Sequence, residues 1–170
     1  MKPEHSTTEQ EFLVHYDLLA DPLFRHCYFR TSDREVSKDI LQDAFIKTWQ
    51  YIRKGQQVDN MKAFLYKVTN NLIVDWSRKK REISLDSLMD QGFDVPVSEQ
   101  ARLEAVVESK HMLEVLHRLD PKYRDAIVFR YIDDLTPKEI AAITGETENV
   151  ISVRIHRGLN QVRELLPQEV

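Results

Sequence analysis

Four consecutive cations, Arg78, Lys79, Lys80 and Arg81, close a segment (residues 53–81) with eight basic and two acidic side chains. A second segment, residues 149–163, holds three arginines and no acid. The chain as a whole is acidic, with net charge −4, and residues 82–108 carry seven acids against one base. Cations gathered into two islands of an acidic chain suit a polyanion, because each Lys or Arg that meets a phosphate releases a condensed counterion. Mixed charge would solvate helices equally well, but it gives no reason for four cations in a row. On a helical wheel at 100° per residue, Asn149, Ser152, Val153, His156, Arg157, Asn160 and Arg163 lie opposite or beside an apolar line of Ile151, Ile155, Leu159, Val162 and Leu166. Arginine on such a face can donate two hydrogen bonds to a guanine edge or hold a phosphate, and Val153 can meet a thymine methyl. Arg154 sits nearer the buried flank, which gives it a supporting role.

Other chemistries find no constellation. Asp133 and Asp134 read as a solvated turn, and His111 with Glu108 lacks further partners, whereas a catalytic site needs several roles at once. Six histidines are scattered without metal-ligand spacing. The single cysteine, Cys27, makes no disulfide within the chain and lies on an apolar stripe, so it reads as a small buried hydrophobe. No covalent chemistry, metal or cofactor is expected. Apolar runs fall short of the roughly 18 residues that span a bilayer, and the polar start lacks the apolar stretch of a secretory signal. A soluble, cytoplasmic protein is the expectation.

The elements that would carry these residues are helical. Phe12, Leu13, Tyr16, Leu19, Leu23, Phe24 and Cys27 recur at three-to-four spacing over residues 10–29, with Pro22 as a break or a first turn. Ser32 and Glu35 fit a capping box, with Ser32 as the N-cap. Val36, Ile40, Leu41, Ala44, Phe45, Trp49 and Ile52 continue one face of a second helix, stopped at Gly55. After a polar loop, Phe64, Leu65, Val68, Leu72 and Trp76 mark a third, ending in the cations. Residues 82–102 show no clean period and read as an acidic linker. Leu103, Val106, Val107, Leu113 and Leu116 begin a second module. There Asp120 caps before Pro121, and Thr136, Pro137 and Glu139 repeat that pattern. Gly145 ends a short helix, Thr147 caps the next, and Ala141 and Ala142 permit close helix approach. The predicted fold is all-α: two small helical domains, residues 1–81 and 103–170, joined by the acidic linker, the C-terminal one a helix-turn-helix.

Several strings resemble the sigma-70 family of bacterial RNA polymerase sigma factors, in its small extracytoplasmic function (ECF) group. Residues 39–49, DILQDAFIKTW, are similar to the family's signature for docking on the β′ clamp helices. The resemblance thus implies polymerase binding by Asp39, Gln42, Asp43, Phe45, Lys47 and Trp49, although Phe45 and Trp49 also belong to the core stripe. Residues 63–71, AFLYKVTNN, resemble the family helix that captures the unpaired strand of the −10 element. That implies Tyr66, Lys67, Asn70, Asn71, Arg78, Lys79, Lys80 and Arg81 at single-stranded DNA, with Phe64 and Trp76 more suited to the core than to stacking and the loop over residues 55–60 setting specificity. Residues 135–141 and 145–157 track the family's helix-turn-helix and imply −35 element contacts by Asn149, Ser152, Val153, Arg154, His156 and Arg157. Ser152 stands where a lysine is frequent and Leu159 where an arginine is, which should weaken phosphate anchoring. Implied partners are core RNA polymerase (β′ clamp helices and β flap), promoter DNA and an anti-sigma factor. The acidic linker would thread a basic channel of the polymerase. A stand-alone helix-turn-helix regulator is the alternative, but it has no use for the docking signature.

Overall fold

The computed structural model describes residues 5–83 and 101–166. Every described element is helical, as the periodicity predicts. In order they are α1 (His5–Thr31), α2 (Arg34–Arg53), α3 (Met61–Ile83), α4 (Ala101–Arg118), α5 (Pro121–Ile127), α6 (Pro137–Thr144) and α7 (Glu148–Leu165). They form two compact units: α1–α3 make the first, and α4, α5, α7 and the start of α6 make the second, with residues 142–145 grouped with the first. The expected acidic linker lies mostly outside the described residues. At its margins α3 runs to Ile83 and α4 begins at Ala101.

In the first unit α1 continues unbroken through Pro22. Phe12, Leu19, Leu23 and Cys27 are its buried line, at spacings of seven, four and four residues. Leu13 and Tyr16, counted on the same stripe by spacing alone, are 55% and 44% exposed. Leu13 sits a full 100° round the helix from Phe12, while Tyr16 is flanking and keeps one ring face on Phe45, 4.6 Å between centroids. Cys27 packs with Ile40 and Ile73, one residue from each helix, so a small side chain fills the point where the three helices converge. Burial of a residue such as Leu23, fully enclosed here, is worth about 2 kcal/mol.

The α1–α2 corner corrects one expectation. Ser32 has φ +56°, a left-handed conformation that an N-cap does not adopt. Asp33 is the N-cap instead: its backbone is extended, and its Oδ1 accepts the Val36 N–H at 3.0 Å. Glu35 turns to Lys38 at 3.1 Å rather than reaching back. Two short polar residues compete for such a cap, and the one with extended backbone takes it. At the far end Gly55, at φ +82°, donates to the Ile52 carbonyl at 3.0 Å. Its left-handed backbone stops α2 without a Cβ penalty, as the sequence predicts. Asn60 then caps α3 by accepting the Ala63 N–H at 3.0 Å.

The second unit adheres closely to its capping residues. Asp120 accepts the Lys122 N–H at 3.2 Å, with Pro121 at the first helical position. Thr136 and Glu139 close a reciprocal box: the Thr136 N–H donates to Glu139 at 2.8 Å, and the Glu139 N–H to Thr136 Oγ1 at 3.2 Å. Between them α5 widens over residues 128–132 into a π turn, sealed by the Asp133 N–H on the Val128 carbonyl at 3.1 Å. A tight approach occurs where sequence gave no hint. Ala142 is exposed and Ala141 only half-buried. Gly158 is the buried small residue, and a Cβ there would lie 2.8 Å from Ile127 Cγ1 and 3.2 Å from the Tyr123 carbonyl oxygen. The absence of a side chain at residue 158 is what lets α7 lie against α5.

Candidate nucleic-acid interface

The three proposed contact strips divide differently between core and surface. On α2, Asp39, Gln42, Asp43 and Lys47 all point to solvent. Phe45 does not. It is 5% exposed and held between Phe12 (6.1 Å, edge-on) and Tyr16 (4.6 Å). Trp49 is half-buried, 5.0 Å from the Phe12 ring. Phe45 therefore leaves the docking set and becomes the residue that fixes α2 on α1. Its neighbours present two carboxylates, an amide and an ammonium.

On α3 the correction is larger. Tyr66 is 1% exposed and meets the buried His26 ring edge-on at 5.4 Å, so no base can stack on it in this conformation. Asn70 is turned inward as well, and its Oδ1 accepts a 2.7 Å hydrogen bond from Arg30, a guanidinium 5% exposed. Arg30 Nη1 lies 3.3 Å from His26 Nε2. Residues 66 and 70 are four apart and share one face, and that face packs toward α1. Lys67 and Asn71, one residue on, are exposed, as are Arg78, Lys79, Lys80 and Arg81. Arg78 pairs with Asp75 at 2.6 Å, both largely solvated. Such a pair is worth little and yields readily to a phosphate. Lys80 rests over the Trp76 ring at 5.0 Å, which aligns the cationic end of α3. Tyr51, which the apolar spacing does not assign, is 37% exposed and pairs with half-buried Phe64 at 4.8 Å. The only signal for it was an aromatic two residues past Trp49, on a flank that a single wheel does not assign.

The helix-turn-helix is built from α6, a three-residue turn and α7. Gly145 makes that turn at φ +75°, and Thr147 caps α7 by accepting the Val150 N–H at 3.2 Å. Ile140 and Ile143 of α6 and Ile151 and Ile155 of α7 are buried. Asn149, Ser152, Val153, His156 and Arg157 are all exposed, Val153 by 39%. Arg154 is half-buried and donates to Glu146 at 3.0 Å, tying α7 to the turn. The unit thus offers an outward strip with donors, acceptors and one methyl surface, the inventory that major-groove edges require. Among the described residues no group of three or more His, Cys, Asp or Glu side chains is placed to hold a metal. None of the described helices is long and apolar enough to cross a membrane.

Comparison with known proteins bears on both units. The family description "Sigma-70 region 2" matches residues 15–83, and "Sigma-70, region 4" matches residues 110–162. Together they take in more than two thirds of the chain. The ECF RNA polymerase sigma factor SigW of Bacillus subtilis is 28% identical over 88% of this chain and 86% of its own length. The ECF RNA polymerase sigma factor SigE of Mycolicibacterium smegmatis is 26% identical over 95% of this chain, which spans 65% of that relative. The BldN factor of Streptomyces coelicolor is matched over 60% of its length, so the chain covers under two thirds of some relatives. Among solved structures, the sigma factor RpoE of Bartonella quintana, in complex with the anti-sigma factor NepR, superposes with a TM-score of 0.77 over 92% of this chain and 96% of that one, at 21% identity.

Proposed function

Because this chain belongs to the sigma-70 family of RNA polymerase sigma factors, in its ECF group, we propose that it is a transcription initiation factor that binds core polymerase and selects and melts promoters. The observation that carries this reading is the separation of three solvated strips of different chemistry on two helical units. The α2 strip of Asp39, Gln42, Asp43 and Lys47, edged by Trp49, suits a polar protein surface and would dock on the β′ clamp helices. The α3 strip of Lys67, Asn71 and residues 78–81 would hold a single strand, with cations on its backbone and an amide for a base edge. Exposed residues of α7 would read duplex in the major groove, and the second unit would also meet the β flap. Tyr66, Asn70 and Phe45 support these strips from behind. An anti-sigma partner is part of the proposal, since a structural relative was solved with one. No covalent step is assigned to the chain; its work is binding and the strand separation that binding drives.

Run-off transcription tests this. The full chain is mixed with core polymerase on genomic fragments and start sites are mapped. Discrete starts that vanish without the chain are expected. Initiation that is the same with and without it overturns the reading.

A further inference from the structure

The helix α7 continues past the residues assigned to base reading. Residues 149–157 span about 12 Å of axis at 1.5 Å per residue, close to the roughly 12 Å width of a major groove. Residues 160 and 163 lie about 4.5 and 9 Å farther along, where a helix leaving the groove passes its phosphate wall. Both are exposed, and the 100° wheel keeps them on the same side as Ser152 and His156. Their side chains are linked. Arg163 Nη1 donates to Asn160 Oδ1 at 3.4 Å, and Asn160 Nδ2 lies 3.4 Å from His156 Nε2. A guanidinium only donates, so it settles which end of the amide carries oxygen. With the amide nitrogen turned to His156 Nε2, the pair is satisfied by the imidazole tautomer that carries its proton on Nδ1.

We propose that Arg163 is a phosphate anchor for duplex DNA, and that Asn160 is a positioning residue that fixes the ring and tautomer of His156 so that its Nδ1–H is offered to an acceptor on a base edge. The inference rests on α7 being the duplex-reading helix. Matching acceptors in the major groove are purine N7, guanine O6 and thymine O4. A phosphate arriving at Arg163 takes up guanidinium donors left over from Asn160, so anchoring and orientation occur together.

The test uses the full chain and a pool of labelled 30-base-pair duplexes with randomised centres, with anisotropy then measured between 50 and 200 mM KCl. Arg163→Ala is expected to flatten the slope of log affinity against log salt by about 0.9, so that affinity falls roughly 3.5-fold less across that range. Arg163→Lys restores the slope, and Lys110→Ala, exposed on α4, leaves it unchanged. An Arg163→Ala slope equal to wild type overturns the anchor. Selection from the same pool tests the positioning role. His156→Ala and Asn160→Ala should each relax the same base position, and the double variant should relax it no further. Retention in Asn160→Ala of the preference that His156→Ala loses overturns that role. A wild-type chain with no salt-dependent binding or no base preference overturns both, and with them the reading of α7 itself.

Discussion

Neighbouring asparagines on α3 show how finely the roles are divided between adjacent positions. Asn70 faces inward and bonds the buried Arg30 guanidinium, while Asn71 faces solvent. A hydrogen bond to a charged group contributes about 1.5–3 kcal/mol, so Asn70→Ala should lower unfolding free energy by roughly 2 kcal/mol in urea titration. Asn71→Ala should stay within about 0.5 kcal/mol, as surface changes do, and should instead slow open-complex formation measured by permanganate reactivity. Equal stability loss in both variants would contradict the placement. Thr69 offers a second measurement. Its side chain is fully enclosed and its Oγ1 has no hydrogen-bond partner among the described residues. A buried hydroxyl left unsatisfied costs about 1–3 kcal/mol, so Thr69→Val, near in shape, should raise the urea midpoint. A lowered midpoint would show that the hydroxyl is satisfied after all.

Between α5 and α7, close contact depends on one missing Cβ. In an ordinary helix Gly→Ala gains about 1 kcal/mol. At Gly158 the added carbon would press on Ile127 and on the Tyr123 carbonyl oxygen; the backbone atom cannot rotate away, and overpacking costs about 1–3 kcal/mol. Gly158→Ala should therefore destabilise the C-terminal unit in thermal melts, with Ile127→Val, which removes the Cδ1 that would lie 3.1 Å from the new carbon, recovering part of the loss; a stabilised variant would refute the argument. Helix ends are legible in the sequence because caps act over three residues: Thr136 with Glu139, Asp120 with Pro121, and Gly55 and Gly145 as stops all stand where their residue types place them. The orientation of Tyr66 and Asn70 is not legible, since a wheel gives faces and not which flank meets a neighbour. Ser32 and Asp33 are exchanged because both have capping side chains and only the backbone angle separates them. Nothing local marks Gly158, whose constraint comes from a residue 31 positions earlier in the chain.

At the level of the whole molecule, three solvated strips on two units should be separable by charge reversal. Asp39→Lys with Asp43→Lys changes only exposed groups. It should weaken association with core polymerase by about tenfold or more, since like charges across an interface cost on the order of kilocalories, and leave duplex affinity of the free chain unchanged. Arg157→Glu should do the reverse, lowering duplex affinity by about tenfold or more with polymerase association intact. Native gel titrations of each variant against polymerase and against duplex read both quantities, and parallel losses in both assays would dissolve the division. The family strings lead to all three strips, and the charge islands alone lead to the two basic ones. Neither supplies depth: each string mixes residues that face solvent with residues that hold the helix still.

The π turn over residues 128–132 has a consequence for heredity. Such a turn accommodates one more residue than a regular helix does. Removing any one of the five would let the α pitch resume and swing the downstream chain through about a third of a revolution. The reversal at Asp134, where φ is +53°, would then launch Pro137 and its helix in the wrong direction. Substitutions can accumulate along this stretch, but its residue count is locked, so gaps among descendants of this gene should fall elsewhere.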